Sequence, residues 1–134
     1  MGQIDKSYMH EVHSLVRKMA KKLVNSAKDA GVDFIKFQTF KTENLVLKNT
    51  QKAEYQKQST NQLESQLSML KKLELGTNAH KRLIVYCKKK DIIFLSTPFD
   101  HESIDLLNEL ELQIFKIPSG EITNLTYLRH IGSL

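Results

Sequence analysis

Lys36, Gln38 and Thr39 close the apolar run 34–40, Ser96 and Thr97 follow the run 92–95, and Lys116, Ser119 and Glu121 close the run 114–117. Lysines inside or at the end of buried strands are costly unless they are paired or aimed at an anion. Ser119-Gly120 ahead of a helix start offers a hydroxyl and backbone N–H donors, a local geometry suited to phosphate. Two ammoniums, several hydroxyls and a helix N-terminus on one rim point to a phosphorylated or carboxylated small substrate. Glu121 beside them could carry a proton or bind a substrate hydroxyl. Each feature also has a plainer reading. A strand-end lysine can snorkel, Ser-Gly and Thr-Pro are turn chemistry, and a glutamate near a helix start complements the dipole. The coincidence of such groups at every strand end is what favours an anion site, because parallel α/β proteins gather function at the carboxyl ends of their strands.

The elements that must position these groups follow from periodicity. Met9, Val12, Leu15, Val16, Met19, Leu23, Val24 and Ala27 recur at helical steps, with Gly31 as the stop. Residues 34–40 are aromatic and β-branched, the form of a strand. Residues 41–60 are polar and aperiodic, a long connection. Two helices follow, one carrying Leu63, Leu67, Leu70 and Leu73, the other N-capped near Thr77 and carrying Leu83, Ile84 and Cys87. Residues 92–95 read as a strand buried on both faces, and Asp100 caps a helix with Ile104, Leu107 and Leu110 inward. Residues 114–117 read as a third strand, and a last helix starts near Thr123 or Asn124 with Leu125, Leu128 and Ile131 on one side. This alternation predicts an α/β fold of right-handed βαβ units on a parallel sheet.

With 134 residues the chain is one domain or part of one, and a complete (β/α)8 barrel needs about 250. The pattern therefore reads as the front half of something larger. No run approaches the roughly 20 apolar residues of a membrane helix, so no membrane partner is expected. The single cysteine, Cys87, excludes an intrachain disulfide framework; it reads as core filler in a reducing, cytoplasmic setting. The net charge of +5 invites a nucleic-acid partner, but the lysines sit at helical spacing without interleaved aromatics and read as solvated helix faces. His10 and His13 could form half of a metal site, yet no third ligand is placed, while His80, His101 and His130 read as solvent-facing.

Five segments, in order and with natural spacing, resemble the bacterial sialic acid synthase family, which includes the N-acetylneuraminate, legionaminate and pseudaminate synthases. They are Lys36-Phe37-Gln38-Thr39-Phe40-Lys41, Lys52-Ala53-Glu54-Tyr55-Gln56-Lys57, Glu64 through Leu75, Leu95-Ser96-Thr97-Pro98-Phe99-Asp100, and Lys116-Ile117-Pro118-Ser119-Gly120-Glu121-Ile122-Thr123-Asn124. The resemblance implies a partial TIM barrel over residues 20–134, its first strand missing or degenerate and its C-terminal half absent, after a divergent helical region over residues 1–19. It implies condensation of phosphoenolpyruvate with an N-acetylated amino sugar such as N-acetylmannosamine, giving a nine-carbon 2-keto sugar acid and phosphate. Lys36, Thr97, Lys116 and Ser119 would bind phosphoenolpyruvate, while Gln38 and Glu121 would face the reacting centre or the acceptor. A divalent metal, manganese or magnesium, assists in the full-length family, as does a homodimer; the metal ligands are expected outside this chain. Family members open with a Glu-Ile-Gly-x-Asn-His-x-Gly type of motif. Here the stretch reads His10-Glu11-Val12-His13-Ser14-Leu15, so neither Glu11 nor His13 takes a catalytic role. The alternative is a non-catalytic fragment or interaction module with residual anion binding.

Overall fold

The structure, a computed structural model, describes residues 6–45 and 65–134. Helix α1 (Lys6–Asp29) leads into strand β1 (Phe34–Thr39) and a single turn, α2 (Thr42–Leu45). Helices α3 (Gln66–Leu73) and α4 (Thr77–Lys89) precede strand β2 (Ile93–Pro98), followed by α5 (His101–Glu109), a 3₁₀ turn (Ser119–Glu121) and α6 (Leu125–Gly132). Strands β1 and β2 pair in parallel, Phe34 opposite Ile93 through Thr39 opposite Pro98. Helices α1 and α4 cover one face of this pair, and Ala20, Val24, Leu83, Cys87, Ile92 and Phe94 form the core between them. Phe37 and Phe94 stack across the strands within that layer.

The chain enters each strand position by the same turn. Gly31, Asp91 and Glu111 follow α1, α4 and α5 with φ of +74°, 52° and 59°. In each case the next amide reaches back into the helix, Val32 to Ala27, Ile92 to Cys87 and Leu112 to Leu107. This is the left-handed C-terminal cap that reverses a helix toward a strand; glycine adopts it freely, whereas Asp91 and Glu111 do so against a Cβ penalty. The repeat is visible in the backbone although no repeat is visible in the residues.

Several expectations need correction. Residues 114–117 do not form a strand; only Phe115 bridges, in parallel, to Ser96. A third strand is completed by a neighbour on its far side, and none of the described residues supplies one. Strand β2 is not buried on both faces, since Ile93 is 53% exposed. The cap of α4 falls at Gly76, next to Thr77 as expected, but without a side-chain bond. Leu125 lies outward, and Tyr127 takes the buried position of α6 because its hydroxyl reaches the Pro98 carbonyl. His80 is fully buried, not solvent-facing; His101 and His130 hydrogen-bond each other, Nδ1 to Nδ1 at 2.7 Å, with Asp105 on the far side of His130. Leu63 and most of the long connection lie outside the described residues. Cys87 is buried in the core, and burial pushes its thiol up to about 11, which suits filler rather than a nucleophile.

Candidate functional site

Side chains alternate across a strand pair, and the two faces here differ in kind. Toward the helices point Ile35, Phe37 and Thr39 with their partners Phe94, Ser96 and Pro98. On the other face lie Lys36 opposite Leu95 and Gln38 opposite Thr97. The Phe115–Ser96 bridge brings Lys116, the next residue, level with Thr97. Gln38, Thr97 and Lys116 thus form one row across the sheet, with Lys36 two residues below Gln38 on the same face.

Lys36, Gln38 and Lys116 are exposed, so the desolvation cost expected of buried lysines does not arise. What marks them is position, and neither ammonium has a carboxylate partner among the described residues. Thr97 is only 1% exposed, and its hydroxyl has no hydrogen-bond partner among them. A buried hydroxyl left unpaired costs about 1–3 kcal/mol and calls for an explanation such as a ligand. Ser119 stands exposed at the head of the 3₁₀ turn. Glu121, half-buried at its end, accepts a hydrogen bond from Asn124 at 2.6 Å. The structure therefore aligns Gln38, Thr97 and Lys116 directly, and brings Ser119 and Glu121 to the same carboxyl end through the chain that follows Lys116.

Two carboxylates fix the carboxyl ends of the strands. Asp100 accepts from the Lys41 amide at 2.7 Å and caps α5 through the Ser103 amide at 2.8 Å, tying the end of β1 to the end of β2. Glu74 accepts from the Thr42 amide at 3.1 Å, the Thr42 hydroxyl at 2.8 Å and Lys71 at 3.1 Å. Burial works to raise its carboxyl, but these donors outweigh it and hold Glu74 below the ordinary range.

The helix-side face carries a network that the residue pattern did not reveal. His80 Nδ1 lies 3.1 Å from the Gly76 carbonyl, which can only accept, so Nδ1 carries the proton. Nε2 of the neutral ring then accepts from the Thr39 hydroxyl at 2.8 Å, and Thr39 accepts from Ser96 at 2.7 Å. Burial pushes His80 below its ordinary value; the Gly76 carbonyl opposes this and the nearby Lys41 charge adds to it. A signal was present: His80 sits three residues before Leu83 and seven before Cys87, on the buried stripe.

A cavity of about 670 Å³ lies at the opposite end of the strands, where Val32, Ile93, Leu112 and Ile114 mix with the charged Lys28, Lys88 and Asp91. That is the end where this class of fold builds stability rather than chemistry. For the divalent metal implied by the resemblance, the residues do not fit: no three His, Cys, Asp or Glu side chains among the described residues converge on a point. His13 instead lies against the Lys71 carbonyl at 3.4 Å.

Parallel strands linked through helices, with polar groups collected at their carboxyl ends, define part of a (β/α)8 barrel. The chain belongs to the NeuB family, which matches residues 23–134. It is 60% identical over 116 residues to the N,N'-diacetyllegionaminic acid synthase of Campylobacter jejuni, covering 87% of this chain and 35% of that protein. It is 49% identical to the enzyme of the same name from Legionella pneumophila, covering 86% of this chain and 32% of that one. Among solved structures it is similar to the N-acetylneuraminic acid (sialic acid) synthetase of Leptospira borgpetersenii in complex with citrate, with a TM-score of 0.71 and 28% identity over 87% of this chain and 36% of that one. The chain thus spans about a third of the length of the curated relatives it matches. Among the described residues, no helix is long and apolar enough to cross a membrane.

Proposed function

We propose that this chain carries the phosphoenolpyruvate half of a sugar-acid synthase active site, in a cytoplasmic enzyme that condenses phosphoenolpyruvate with an N-acetylated amino sugar. The observation that carries the reading is the row Gln38–Thr97–Lys116, with Lys36 beside it and the Thr97 hydroxyl unpaired. Two cations and a hydroxyl without partners among the described residues suit a phosphate and a carboxylate on one small molecule. The names of the Campylobacter and Legionella relatives support a sugar acid as product.

In this reading Lys36, Thr97, Lys116 and Ser119 hold the phosphate and carboxylate, while Gln38 and Glu121 face the acceptor. The enol carbon attacks the aldehyde carbon of the open-chain sugar, and the new carbon–carbon bond forms as the carbonyl π electrons move to oxygen, which takes up a proton to become a hydroxyl. Water adds at the resulting cationic carbon, its proton passing to a base such as Glu121. The carbon–oxygen bond then breaks and phosphate leaves, its charge met by the two fixed ammoniums.

Calorimetric titration of the chain with phosphoenolpyruvate tests this. Lys36→Ala/Lys116→Ala should weaken binding by at least about 100-fold, the loss of two charge-assisted contacts, without altering the thermal midpoint. Equal affinity in the double variant, or no affinity in the unsubstituted chain, would overturn the assignment. The non-catalytic alternative predicts binding of inorganic phosphate as tight as that of phosphoenolpyruvate.

A further inference from the structure

Glu121 does not stand free on its turn. Asn124, the N-cap of α6, accepts the Tyr127 amide on its side-chain oxygen at 3.2 Å and donates from its nitrogen to Glu121 Oε2 at 2.6 Å. A carboxamide has its acceptor at one end and its donor at the other, so spending the oxygen on the cap aims the nitrogen at the carboxylate. The same helix is anchored at a second point. Tyr127, 1% exposed, donates its hydroxyl to the Pro98 carbonyl at 2.7 Å, one residue beyond Thr97. Burial, with the negative charges of Glu121 and Asp100 added, pushes that hydroxyl up to about 12, so it stays a donor at every working pH.

We propose that Asn124 is the positioning residue for Glu121, and that the bracket Asn124–Tyr127–Pro98 fixes this carboxylate relative to Thr97. The inference deepens the synthase reading and rests on it for what Glu121 does, but the positioning itself can be measured apart from any ligand. A cap residue serves the helix as well, so an alanine variant would mix stability with positioning. Asp caps as well as Asn but has nothing to donate. Asn124→Asp therefore keeps the helix and removes the hold on Glu121, replacing a donor with a like charge.

The test is side-chain relaxation by NMR on the whole chain, with the Glu121 methylenes labelled. In the unsubstituted chain Glu121 should be ordered. In Asn124→Asp its order parameter should fall below the value of about 0.6 that marks a flexible group. The thermal midpoint should stay within about 2 °C. The double variant Asn124→Asp/Glu121→Gln restores the bond with donor and acceptor exchanged, so residue 121 should regain its order. A Glu121 side chain that stays ordered in Asn124→Asp, or a double variant no more ordered than the single one, would overturn the proposal. Phosphoenolpyruvate titration run in parallel separates the two levels: a chain that binds none contradicts the synthase reading, while the relaxation data still decide whether Asn124 positions Glu121.

Discussion

Thr39 and Thr97 close the two paired strands at the same end of the sheet, and both are buried, 2% and 1% exposed. Their hydroxyls have opposite fates. Thr39 faces the helices and is saturated, donating to His80 and accepting from Ser96. Thr97, on the opposite face, has no partner among the described residues. The saturated face holds the fold together; the other face, whose two lysines have no carboxylate partner among the described residues, is the one the proposed function assigns to the ligand. A buried polar group earns its place either by a partner within the protein or by one that arrives.

Substitutions on the saturated face should act on stability. Removing the His80 ring opens a cavity and strands the Thr39 hydroxyl, so His80→Ala should cost about 3 kcal/mol in urea unfolding. A loss under about 1 kcal/mol would mean that the face is not the closed network its distances indicate. Thr39→Val keeps the volume but leaves His80 Nε2 and the Ser96 hydroxyl unpaired, a cost of about 2 kcal/mol. Restoration by a second change, Ser96→Ala, would sharpen the point, because it removes one of the two stranded groups.

A smaller effect follows from the titration of His80. Its value in the folded chain is depressed below the ordinary 6.5. As the pH falls through 6.5 the unfolded chain takes up a proton that the folded chain refuses, so stability must fall with it. It continues to fall down to the depressed value, where the folded form protonates too. Glu74 and Glu43, also depressed, add their losses only below about 4.5. Unfolding free energy should therefore be lower at pH 5.5 than at pH 7 in the unsubstituted chain, and the difference should be much smaller in His80→Gln. An unchanged pH slope in that variant would assign the effect to other groups.

How much of this was legible in the residues follows from how local each signal is. The helical period of α1, the Asp100 cap and the short runs at 34–40 and 92–95 are written in neighbouring residues and form their elements with small shifts at the ends, but the expected α1 stripe is only partly inward: Val24 is buried, whereas Leu15, Met19 and Leu23 are more than half exposed. The third strand was not legible as a failure, because Ile114 to Ile117 carries strand residues yet pairs only where a neighbour exists. Histidine is usually exposed, whereas the spacing of His80 to Leu83 and Cys87 puts it inside. The row Gln38–Thr97–Lys116 required the strand register, which no single segment contains. The roles of Asn124 and Tyr127 required knowing that α6 packs back on the end of β2.

The central claim is that the Thr97 hydroxyl is kept for a ligand and not for the fold. Thr97→Val is the most direct measurement, made as paired urea unfolding and phosphoenolpyruvate titration. The account predicts stability unchanged or raised by up to about 1 kcal/mol, since an unpaired buried hydroxyl gives way to a methyl group, together with affinity reduced about 10-fold. A destabilised Thr97→Val chain that binds phosphoenolpyruvate as tightly as before would contradict it.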